Sequence, residues 1–425
     1  MPKSPGATIP GLGGKNHQTI MKNVRRIVQA GMLALVLGSV FLLRANAEAW
    51  CPFGGIEALY TYAREGNLLC SLGISNFYAV IAVTASVLLV RRAFCGYLCP
   101  IGAISEWLGS FARRIGLPPS RAPAIVDRVL SSAKYLLLIA ILPITWQAGE
   151  LLFRGYCPAY ALLGRHGADI TYWAYVVAGA IAVVSLVVTM PFCRWLCPLA
   201  AVLNPLSRFA LTRVQRDPNA CRDCGRCTAS CPMAIPVDRV LQVTHSRCLA
   251  CMNCIEACPS KKAKPLVWGP PKWFGRAWPR RAVIGILLAC MGTAIAAGCF
   301  APFPSFIKSR GETPTRVDSV ELRIRDLTCR GRANLLVGFL DRDDPYQIPG
   351  PSPRTPGYYK LEAWPNPGVA TVRIRYDPSK ADDKVIKRAI TEPYFDLATN
   401  RWWQSPFVIE GYSPPGLDID TTGIR

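Results

Sequence analysis

Five apolar runs restrict the fold of this 425-residue chain more than any other feature. Each run is about 17 to 20 residues long, close to the length that a helix needs to cross about 30 Å of hydrocarbon. They lie at Ile27–Leu43, Leu72–Val90, Val129–Trp146, Thr171–Met190 and Ala282–Phe300. One run alone would fit the buried helix of a soluble protein. Five runs, in a chain with 51% hydrophobic and 18% charged residues, predict an α-helical membrane protein with about five transmembrane helices.

The net charge of +22 is concentrated in alternate segments between these runs. Residues 1–26, 91–128 and 191–281 together carry +20 of it. Because positive charge accumulates in cytoplasmic loops, this alternation predicts a multi-pass protein of the bacterial inner membrane with a cytoplasmic N-terminus and a periplasmic segment 301–425. The charge is explained by topology, so no nucleic-acid partner is expected.

Residues 221–258 contain two copies of the spacing C-x2-C-x2-C-x3-C-P. In this bacterial arrangement three cysteines of a run bind one cubane and the fourth ligates the other cluster. The spacing predicts an inserted ferredoxin domain with two [4Fe-4S] clusters, and a zinc knuckle or a disulfide framework is the alternative. The predicted ligands are Cys221, Cys224, Cys227 and Cys258 for cluster 1, and Cys248, Cys251, Cys254 and Cys231 for cluster 2.

Two C-x3-C-P motifs, Phe94–Pro100 and Phe192–Pro198, lie at the cytoplasmic ends of the second and fourth runs. On a continuing helix, residues i and i+4 share a face, so each motif would present two sulfurs in one direction. If the helix ends meet, the four cysteines predict a third iron–sulfur or mononuclear metal site. Dithiol chemistry and plain small buried residues are the alternatives. The cysteines are Cys95, Cys99, Cys193 and Cys197.

A Cys-Pro pair at the outer edge of the membrane precedes each of these motifs, at Cys51-Pro52 and at Cys157-Pro158. The order of outer Cys-Pro, inward helix and C-x3-C-P therefore occurs twice, which predicts a two-copy internal repeat. Cys51 and Cys157 are predicted to form an outer thiol pair. The pair is either redox-active or a structural disulfide, since the compartment permits oxidation.

Residues 305–425 alternate between strand and helix patterns in the order βαββαβ, which predicts an α+β ferredoxin-like domain. With Leu327-Thr328-Cys329 in its first loop, this tail resembles a heavy-metal-associated domain of the copper-chaperone kind. Such domains bind metal through C-x2-C. Here Arg332 occupies the second position, which leaves Cys329 as a single soft ligand and favours a docking or structural role.

These patterns divide the chain into five regions. They are a cytoplasmic tail (1–26), a four-helix membrane domain with the two repeats (27–210), the cytoplasmic ferredoxin domain (211–265), a linker with the fifth transmembrane helix (266–304), and the periplasmic heavy-metal-associated-like domain (305–425).

The segments FCGYLCPIGA and FCRWLCPLAA and the paired ferredoxin motifs resemble the membrane polyferredoxins of the NapH and NosR type, which accompany periplasmic nitrate and nitrous oxide reductases. The resemblance covers about residues 27–300. It implies an electron-transfer subunit rather than a stand-alone enzyme, which passes electrons from a cytoplasmic or quinol-linked donor towards a periplasmic redox partner. Redox proteins on both faces, including a periplasmic metalloenzyme, are the implied partners. The alternative is an assembly or copper-handling factor that uses the same clusters to reduce metal or thiols.

Neither haem nor flavin is expected. The three histidines, His17, His166 and His245, lie outside the five runs, so a pair of axial histidine ligands within the membrane is missing. NosR has a flavin-binding domain ahead of its membrane part, and only about 26 residues precede the first run here.

Overall fold

The computed structural model describes most of the chain, and the account below is confined to those residues. They are residues 15–43, 47–65, 74–117, 122–148, 152–164, 170–260, 263, 265–270, 277–279, 281–300, 304, 306–309, 314–325, 327, 330–341, 358–364, 369–396 and 401–413.

The chain forms two compact units. Unit 1 comprises Met1–Ala47, Val80–Ile141 and Phe153–Ala294. Unit 2 comprises Glu48–Ala79, Leu142–Leu152 and Ile295–Arg425. Each unit is described separately below.

Each apolar run of the sequence overlaps one long helix. The helices are α1 (Lys15–Phe41), α3 (Ile74–Val90), α6 (Ala124–Ala148), α8 (Tyr172–Val187) and α12 (Ala282–Phe300). Within the part of the chain that the structure describes, two segments are long and apolar enough to cross a membrane, Asn23–Phe41 in α1 and Ile125–Gln147 in α6. The apolar parts of the other three helices are shorter. These helices support a membrane protein.

Shorter helices connect and extend the long ones. They are α2 (Pro52–Glu65), α4 (Ala93–Tyr97), α5 (Pro100–Arg114), α7 (Pro158–Leu163) and α9 (Pro198–Ser207), with 3-10 turns at Ala47–Trp50 and Leu152–Tyr156. Four of these helices begin at the proline of a Cys-Pro pair. Proline is suited to the first helical position because its φ angle is already helical and it lacks the N–H that would be unpaired there.

The C-x3-C-P motifs do not continue a helix, contrary to the expectation from their spacing. Cys95 lies in α4, but Cys99 has an extended backbone with φ −69° and ψ 118°. In the second motif, Phe192–Leu196 forms a π-helical turn and Cys197 is again extended. The cause is the following proline, which disfavours the α conformation of the residue before it. Each second cysteine therefore precedes a new helix instead of completing the old one.

The ferredoxin segment is closed by two strands, β1 (Arg213–Arg216) and β2 (Leu266–Gly269), which pair antiparallel with Val214 opposite Trp268. Between them lie the short helices α10 (Arg226–Ala229) and α11 (Asn253–Glu256) and a 3-10 turn at Val237–Arg239. The sequence analysis placed Leu266–Gly269 in the linker. Backbone pairing with β1 makes this segment part of the ferredoxin fold.

Polar contacts join the helices of unit 1 around the first C-x3-C-P motif. The hydroxyls of Ser105 in α5 and Ser185 in α8 lie 2.9 Å apart. Arg25 of α1 pairs with Glu106 of α5, and Gln29 Nε2 donates to the carbonyl oxygen of Gly96 at 3.0 Å. Because buried polar groups in an apolar helix require partners, these contacts determine which faces of α1, α5 and α8 meet.

The C-terminal part of unit 2 is built on a five-stranded antiparallel sheet of order β3-β5-β6-β4-β9. Its strands are β3 (Phe306–Ser309), β4 (Asp318–Arg325), β5 (Tyr358–Trp364), β6 (Val369–Tyr376) and β9 (Val408–Ile409). The other elements are the helices α13 (Arg330–Leu340) and α14 (Asp383–Thr391) and the strand pair β7 (Tyr394–Asp396) and β8 (Arg401–Trp403).

One core connects the sheet to both helices. Alternate residues of β4, among them Leu322 and Ile324, point to the same side as Ile374 of β6. Leu336 of α13 and Ile386 of α14 complete this core, and each of the five is 3% exposed or less. Burial of one face of a sheet against amphipathic helices is the usual source of stability in such a layer.

Unit 2 also includes segments from earlier in the chain. The hydroxyl of Tyr62 in α2 donates to the carbonyl oxygen of Pro304 at 3.1 Å. Trp146, near the end of α6, donates through Nε1 to the carbonyl oxygen of Glu57 at 3.2 Å. These bonds join parts of residues 48–79, 142–152 and 295–425.

Candidate iron–sulfur centres

The two cysteine runs of the ferredoxin segment share one backbone pattern. In the first run, Asp223 and Gly225 have positive φ angles and flank Cys224. In the second, Ala250 and Met252 have positive φ angles at the equivalent positions, around Cys251. A left-handed residue on each side of the middle cysteine bends the chain sharply, so it can wrap around one centre.

Each predicted ligand set surrounds a cavity of unit 1. One cavity has Cys221, Cys224, Cys227 and Cys258 in its wall. The other has Cys231, Cys248, Cys251 and Cys254 in its wall. In both cavities the fourth cysteine comes from the other run. Four thiols around a cavity are the donor set that a [4Fe-4S] cluster requires, so the residues present fit such a cluster at each position.

The two cavities differ in polarity. Around the site of cluster 2 the other lining residues are apolar, with Pro232, Met233 and Leu249 among them. The site of cluster 1 is lined by charged groups as well, including Arg216 and Asp223, which form an ion pair at 2.8 Å. Cys224 is exposed there. The site of cluster 1 is therefore nearer to solvent, and the surroundings of the site of cluster 2 have a lower dielectric constant.

The four cysteines of the C-x3-C-P motifs act on one another electrostatically. Burial raises the pKa of Cys99 to about 12, and Cys95 and Cys197 raise it further, while the N–H groups of Gly102 and Ile101 act in the opposite direction. Burial also raises the pKa of Cys193 well above its usual value, with Cys99, Cys197 and Cys95 adding to the shift. The thiols of both motifs are therefore close enough to influence one another, and we refer to the four together as the helix-end thiols.

Arg92 is the charged partner of this thiol group. Burial lowers its pKa, but Cys95, Cys193 and Cys197 raise it by more, so the guanidinium stays charged. Arg92 Nη2 lies 3.7 Å from the sulfur of Cys95, and Nη1 donates to Asn204 Oδ1 at 2.8 Å. A buried cation beside four thiols favours their ionised form, which is the form that binds iron.

The ferredoxin segment packs directly against both motifs. The N–H of Arg92 donates to the carbonyl oxygen of Cys248 at 3.3 Å. The hydroxyl of Tyr97 donates to the carbonyl oxygen of Ala250 at 3.4 Å. Beside the second motif, Thr189 Oγ1 donates to the carbonyl oxygen of Pro232 at 2.8 Å. These contacts involve Cys248 itself and the direct neighbours of Cys251 and Cys231. The site of cluster 2 is therefore the ferredoxin site next to the helix-end thiols.

Asp127 near the start of α6 strengthens this arrangement. Its Oδ1 accepts from Arg194 Nη2 at 2.6 Å and from Trp195 Nε1 at 2.8 Å, both within the second motif. Its Oδ2 accepts from Arg247 Nη1 at 2.7 Å, and Arg247 directly precedes Cys248. One carboxylate therefore links a long helix, a C-x3-C-P motif and the ferredoxin segment.

The remaining predicted thiols are placed less completely. Cys51 precedes α2 and Cys157 precedes α7, but they belong to different units, so their separation is not described. Cys329 lies outside the described residues. Within the described ranges, no group of three or more His, Cys, Asp or Glu side chains is suited to hold a single metal ion. The eight ferredoxin cysteines are among the residues to which this applies.

Sequence analysis missed the charged residues around these centres. Arg91 and Arg92 were counted as positive charge of a cytoplasmic loop, although both are fully buried. Arg194 contributes to the same positive charge, although it forms the ion pair with Asp127 described above. For the arginines, the position beside a cysteine motif was the available signal, because arginine is well suited to buried ion pairs.

Comparison with known proteins agrees with this geometry. A family described as "4Fe-4S binding domain" matches the chain twice, at residues 72–118 and 170–216, so each match includes one C-x3-C-P motif. A second family, "4Fe-4S dicluster domain", matches residues 213–259. No solved structure matches the chain. The fold and these sites define an iron–sulfur protein with ferredoxin-type domains.

Curated relatives define the type more closely. The chain is 29% identical over 279 residues to the candidate electron transport protein YccM of Escherichia coli, a match that covers 62% of this chain and 77% of YccM. It is 27% identical to the ferredoxin-type protein NapH of the same organism, over 57% of this chain and 88% of NapH. The regulatory protein NosR of Pseudomonas aeruginosa is 32% identical over 40% of this chain, but only 24% of NosR is covered. The expected resemblance to NapH- and NosR-type polyferredoxins is confirmed, and the protein has an iron–sulfur role in electron transport.

Proposed function

We propose that this protein carries electrons from a cytoplasmic or quinol-linked donor, through two ferredoxin clusters and a third centre at the helix ends, towards a periplasmic redox partner. The contacts of Arg92 are the main support, because its N–H donates to Cys248, a proposed ligand of cluster 2, and its guanidinium lies 3.7 Å from the sulfur of Cys95 in the first C-x3-C-P motif. A hydrocarbon core of about 30 Å separates the two faces of a membrane, so a conduit needs intermediate centres.

The cluster ligands follow from the cavities. Cys221, Cys224, Cys227 and Cys258 would hold cluster 1, and Cys248, Cys251, Cys254 and Cys231 would hold cluster 2. Cys95, Cys99, Cys193 and Cys197 would hold the third centre, which the match of a 4Fe-4S family to both motifs supports. When bound, a [4Fe-4S] cluster accepts and releases single electrons at a potential that its surroundings tune.

The chain's own residues would tune these centres. Arg92 supplies a buried positive charge to the helix-end thiols and is positioned by Asn204. Asp127 holds Arg194 and Arg247 at the contact between the second motif and the ferredoxin segment. The apolar lining around Cys248, Cys251 and Cys254 excludes water from the middle of the path.

The proposed topology has five transmembrane helices in two repeats, with the N-terminus and the ferredoxin domain in the cytoplasm and residues 305–425 in the periplasm. The composition of unit 2 supports it in part, since residues 48–79 and 295–425 largely coincide with two of the segments that the charge pattern assigns to the outside, whereas most of the third, with Cys157, belongs to unit 1. The C-terminal domain is proposed to be ferredoxin-like, because its elements follow the order β4, α13, β5, β6, α14, β9 with sheet order β5-β6-β4-β9. Cys51 and Cys157 are proposed as outer thiols next in the path.

Iron content tests the third centre. Three [4Fe-4S] clusters require about twelve irons per chain, and the two ferredoxin clusters alone require about eight. Anaerobically purified protein is expected to contain the higher value. The double variant Cys95→Ser and Cys193→Ser is expected to lose about four irons and one EPR signal while both ferredoxin signals remain. Cys290→Ser, in α12, is the matched control and should leave iron and sulfide unchanged.

Electron delivery tests the conduit itself. The protein is placed in vesicles that enclose a membrane-impermeant acceptor dye, and a low-potential reductant is added outside. Wild-type protein and the Cys290 variant should reduce the enclosed dye, and the double cysteine variant should not. A wild-type iron content of about eight, or a double variant with unchanged iron and unchanged dye reduction, would show that the helix-end thiols are not a centre of the path.

A further inference from the structure

Arg91 is a buried charged residue to which the structure gives no partner. Its relative exposure is 0%, and Nε, Nη1 and Nη2 all lack a hydrogen-bond partner among the described residues. The other buried arginines of unit 1 are different. Arg25 and Arg194 have a single unpaired nitrogen each and form ion pairs with Glu106 and Asp127.

Such a residue requires an anion. A guanidinium stays protonated even when it is buried, because its pKa is above 12. An unpaired ion in a low-dielectric interior costs several kcal/mol, so buried charges in folded proteins are nearly always compensated. Among the described residues no carboxylate pairs with Arg91, so a bound anionic group is a candidate for the compensating charge.

The surroundings of Arg91 identify that group. The next residue, Arg92, donates its N–H to the carbonyl oxygen of Cys248 at 3.3 Å, so Arg91 lies where the end of α3 meets the ligand loop of cluster 2. Burial lowers the pKa of Arg91, the charge of the Cys248 thiolate acts in the opposite direction, and Arg213 lowers the pKa further. A cubane with four thiolate ligands carries net negative charge, and its sulfurs accept hydrogen bonds.

The backbone of Arg91 indicates that its position is imposed by the fold. Its φ angle is +59°, in the left-handed region that non-glycine residues rarely adopt. A buried outlier of this kind persists only where the surrounding structure over-determines it, and such residues cluster at functional sites. Here the outlier directly follows the last residue of α3.

We propose that Arg91 is the fixed counter-charge of cluster 2 and raises the reduction potential of that cluster above the potential of cluster 1. The inference rests on the proposed function, because it requires the cluster held by Cys231, Cys248, Cys251 and Cys254. One-electron reduction adds one negative charge to this site, and a nearby cation stabilises the reduced form.

The site of cluster 1 lacks an equivalent buried charge, because its lining arginines, Arg216 and the exposed Arg222, are matched by Asp223 and Asp238. Arg216, which lines it, is paired with the exposed carboxylate of Asp223 at 2.8 Å, so much of its charge is neutralised locally. Asp238 in the same wall adds a negative charge. Cluster 2 would therefore have a positive charge without a carboxylate partner, whereas the charges at cluster 1 are paired and solvated. This difference would direct electrons from the exposed cluster 1 to cluster 2, which lies beside the helix ends.

Redox titration followed by EPR tests this inference on the full-length protein. The wild type, Arg91→Gln, Arg91→Lys and the exposed control Arg281→Gln are titrated with dithionite under anaerobic conditions. The signal of cluster 2 is identified as the one that Cys254→Ser removes. Arg91→Gln is expected to disfavour its reduction at least tenfold, which is about 59 mV for a one-electron couple. Arg91→Lys and Arg281→Gln should stay near the wild-type midpoint, and cluster 1 should not shift.

The outcomes separate this inference from the proposed function. Wild-type iron well below eight per chain would contradict the clusters themselves. Full iron in Arg91→Gln with an unchanged midpoint would refute the role of Arg91 alone. If Arg91→Gln fails to assemble cluster 2, the lysine variant decides. If Arg91→Lys assembles cluster 2 with the wild-type midpoint potential, the charge of Arg91 is what matters. If Arg91→Lys also fails to assemble cluster 2, the role of Arg91 is limited to packing.

Discussion

Replacement of Asp127 by asparagine is expected to destabilise unit 1 more than any surface substitution. The carboxylate accepts charge-assisted hydrogen bonds from Arg194 and Arg247, at 2.6 and 2.7 Å, and a third bond from the indole of Trp195. The side chains of Asp127 and Arg194 are only 13% and 3% exposed, so water cannot replace the lost partner. Asparagine preserves the shape but leaves Arg194 as an uncompensated buried cation.

The expected magnitude follows from the burial of this pair. Removing one partner of a buried ion pair costs about 3–5 kcal/mol. Asparagine retains one acceptor oxygen, and nearby cluster charge offsets part of the loss, so the lower limit of about 3 kcal/mol is the appropriate value. For a unit of this size each kcal/mol lowers the melting temperature by about 2–4 °C, which gives a fall of about 6–12 °C.

Thermal unfolding of cluster-loaded protein in detergent, followed by far-UV circular dichroism, measures this change. Glu321→Gln is the control, because its pair with Arg373 is exposed on both sides and contributes no more than about 1 kcal/mol. The double variant Asp127→Asn and Arg194→Met should be more stable than Asp127→Asn alone, since it removes the orphaned charge as well. The reasoning is refuted if Asp127→Asn costs no more than the control, or if the double variant is the less stable of the two.

Two further substitutions test local geometry. In Gly102→Ala the new Cβ would lie 2.4 Å from the carbonyl oxygen of Cys95, whereas the same change at Gly179 meets nothing within 4 Å. We therefore expect the iron of the helix-end centre to be lost only in the Gly102 variant, with equal iron in the two variants as the contrary result. Asp382 caps α14 by accepting from the N–H of Val385 at 2.8 Å. Asp382→Ala should destabilise the C-terminal domain by about 1 kcal/mol in a denaturant titration, and an unchanged midpoint would exclude the capping role.

Much of the chemistry was predictable because it depends on local spacing. Each run of four cysteines contains consecutive tight turns, so the order along the chain was enough to group Cys258 with the first set and Cys231 with the second, and each group lines one cavity. Helical runs and the strand pattern of residues 318–376 are local in the same sense, because each depends on a period of a few residues. The prolines at Pro100 and Pro198 also have a local consequence, because each disfavours the helical conformation of the cysteine before it.

The sequence by itself determined the residue types, the cluster ligand spacing and the apolar helices of this protein. Only the tertiary structure decided that Arg92 contacts Cys248, that Asp127 contacts Arg194 and Arg247, that the thiols of both C-x3-C-P motifs act on one another, and that Arg91 is buried instead of solvated. The interacting residues are about 70 to 160 positions apart, and no local periodicity encodes which distant groups meet. A cation in a sequence has the same formal charge anywhere, but its effect depends on burial and on the group that faces it.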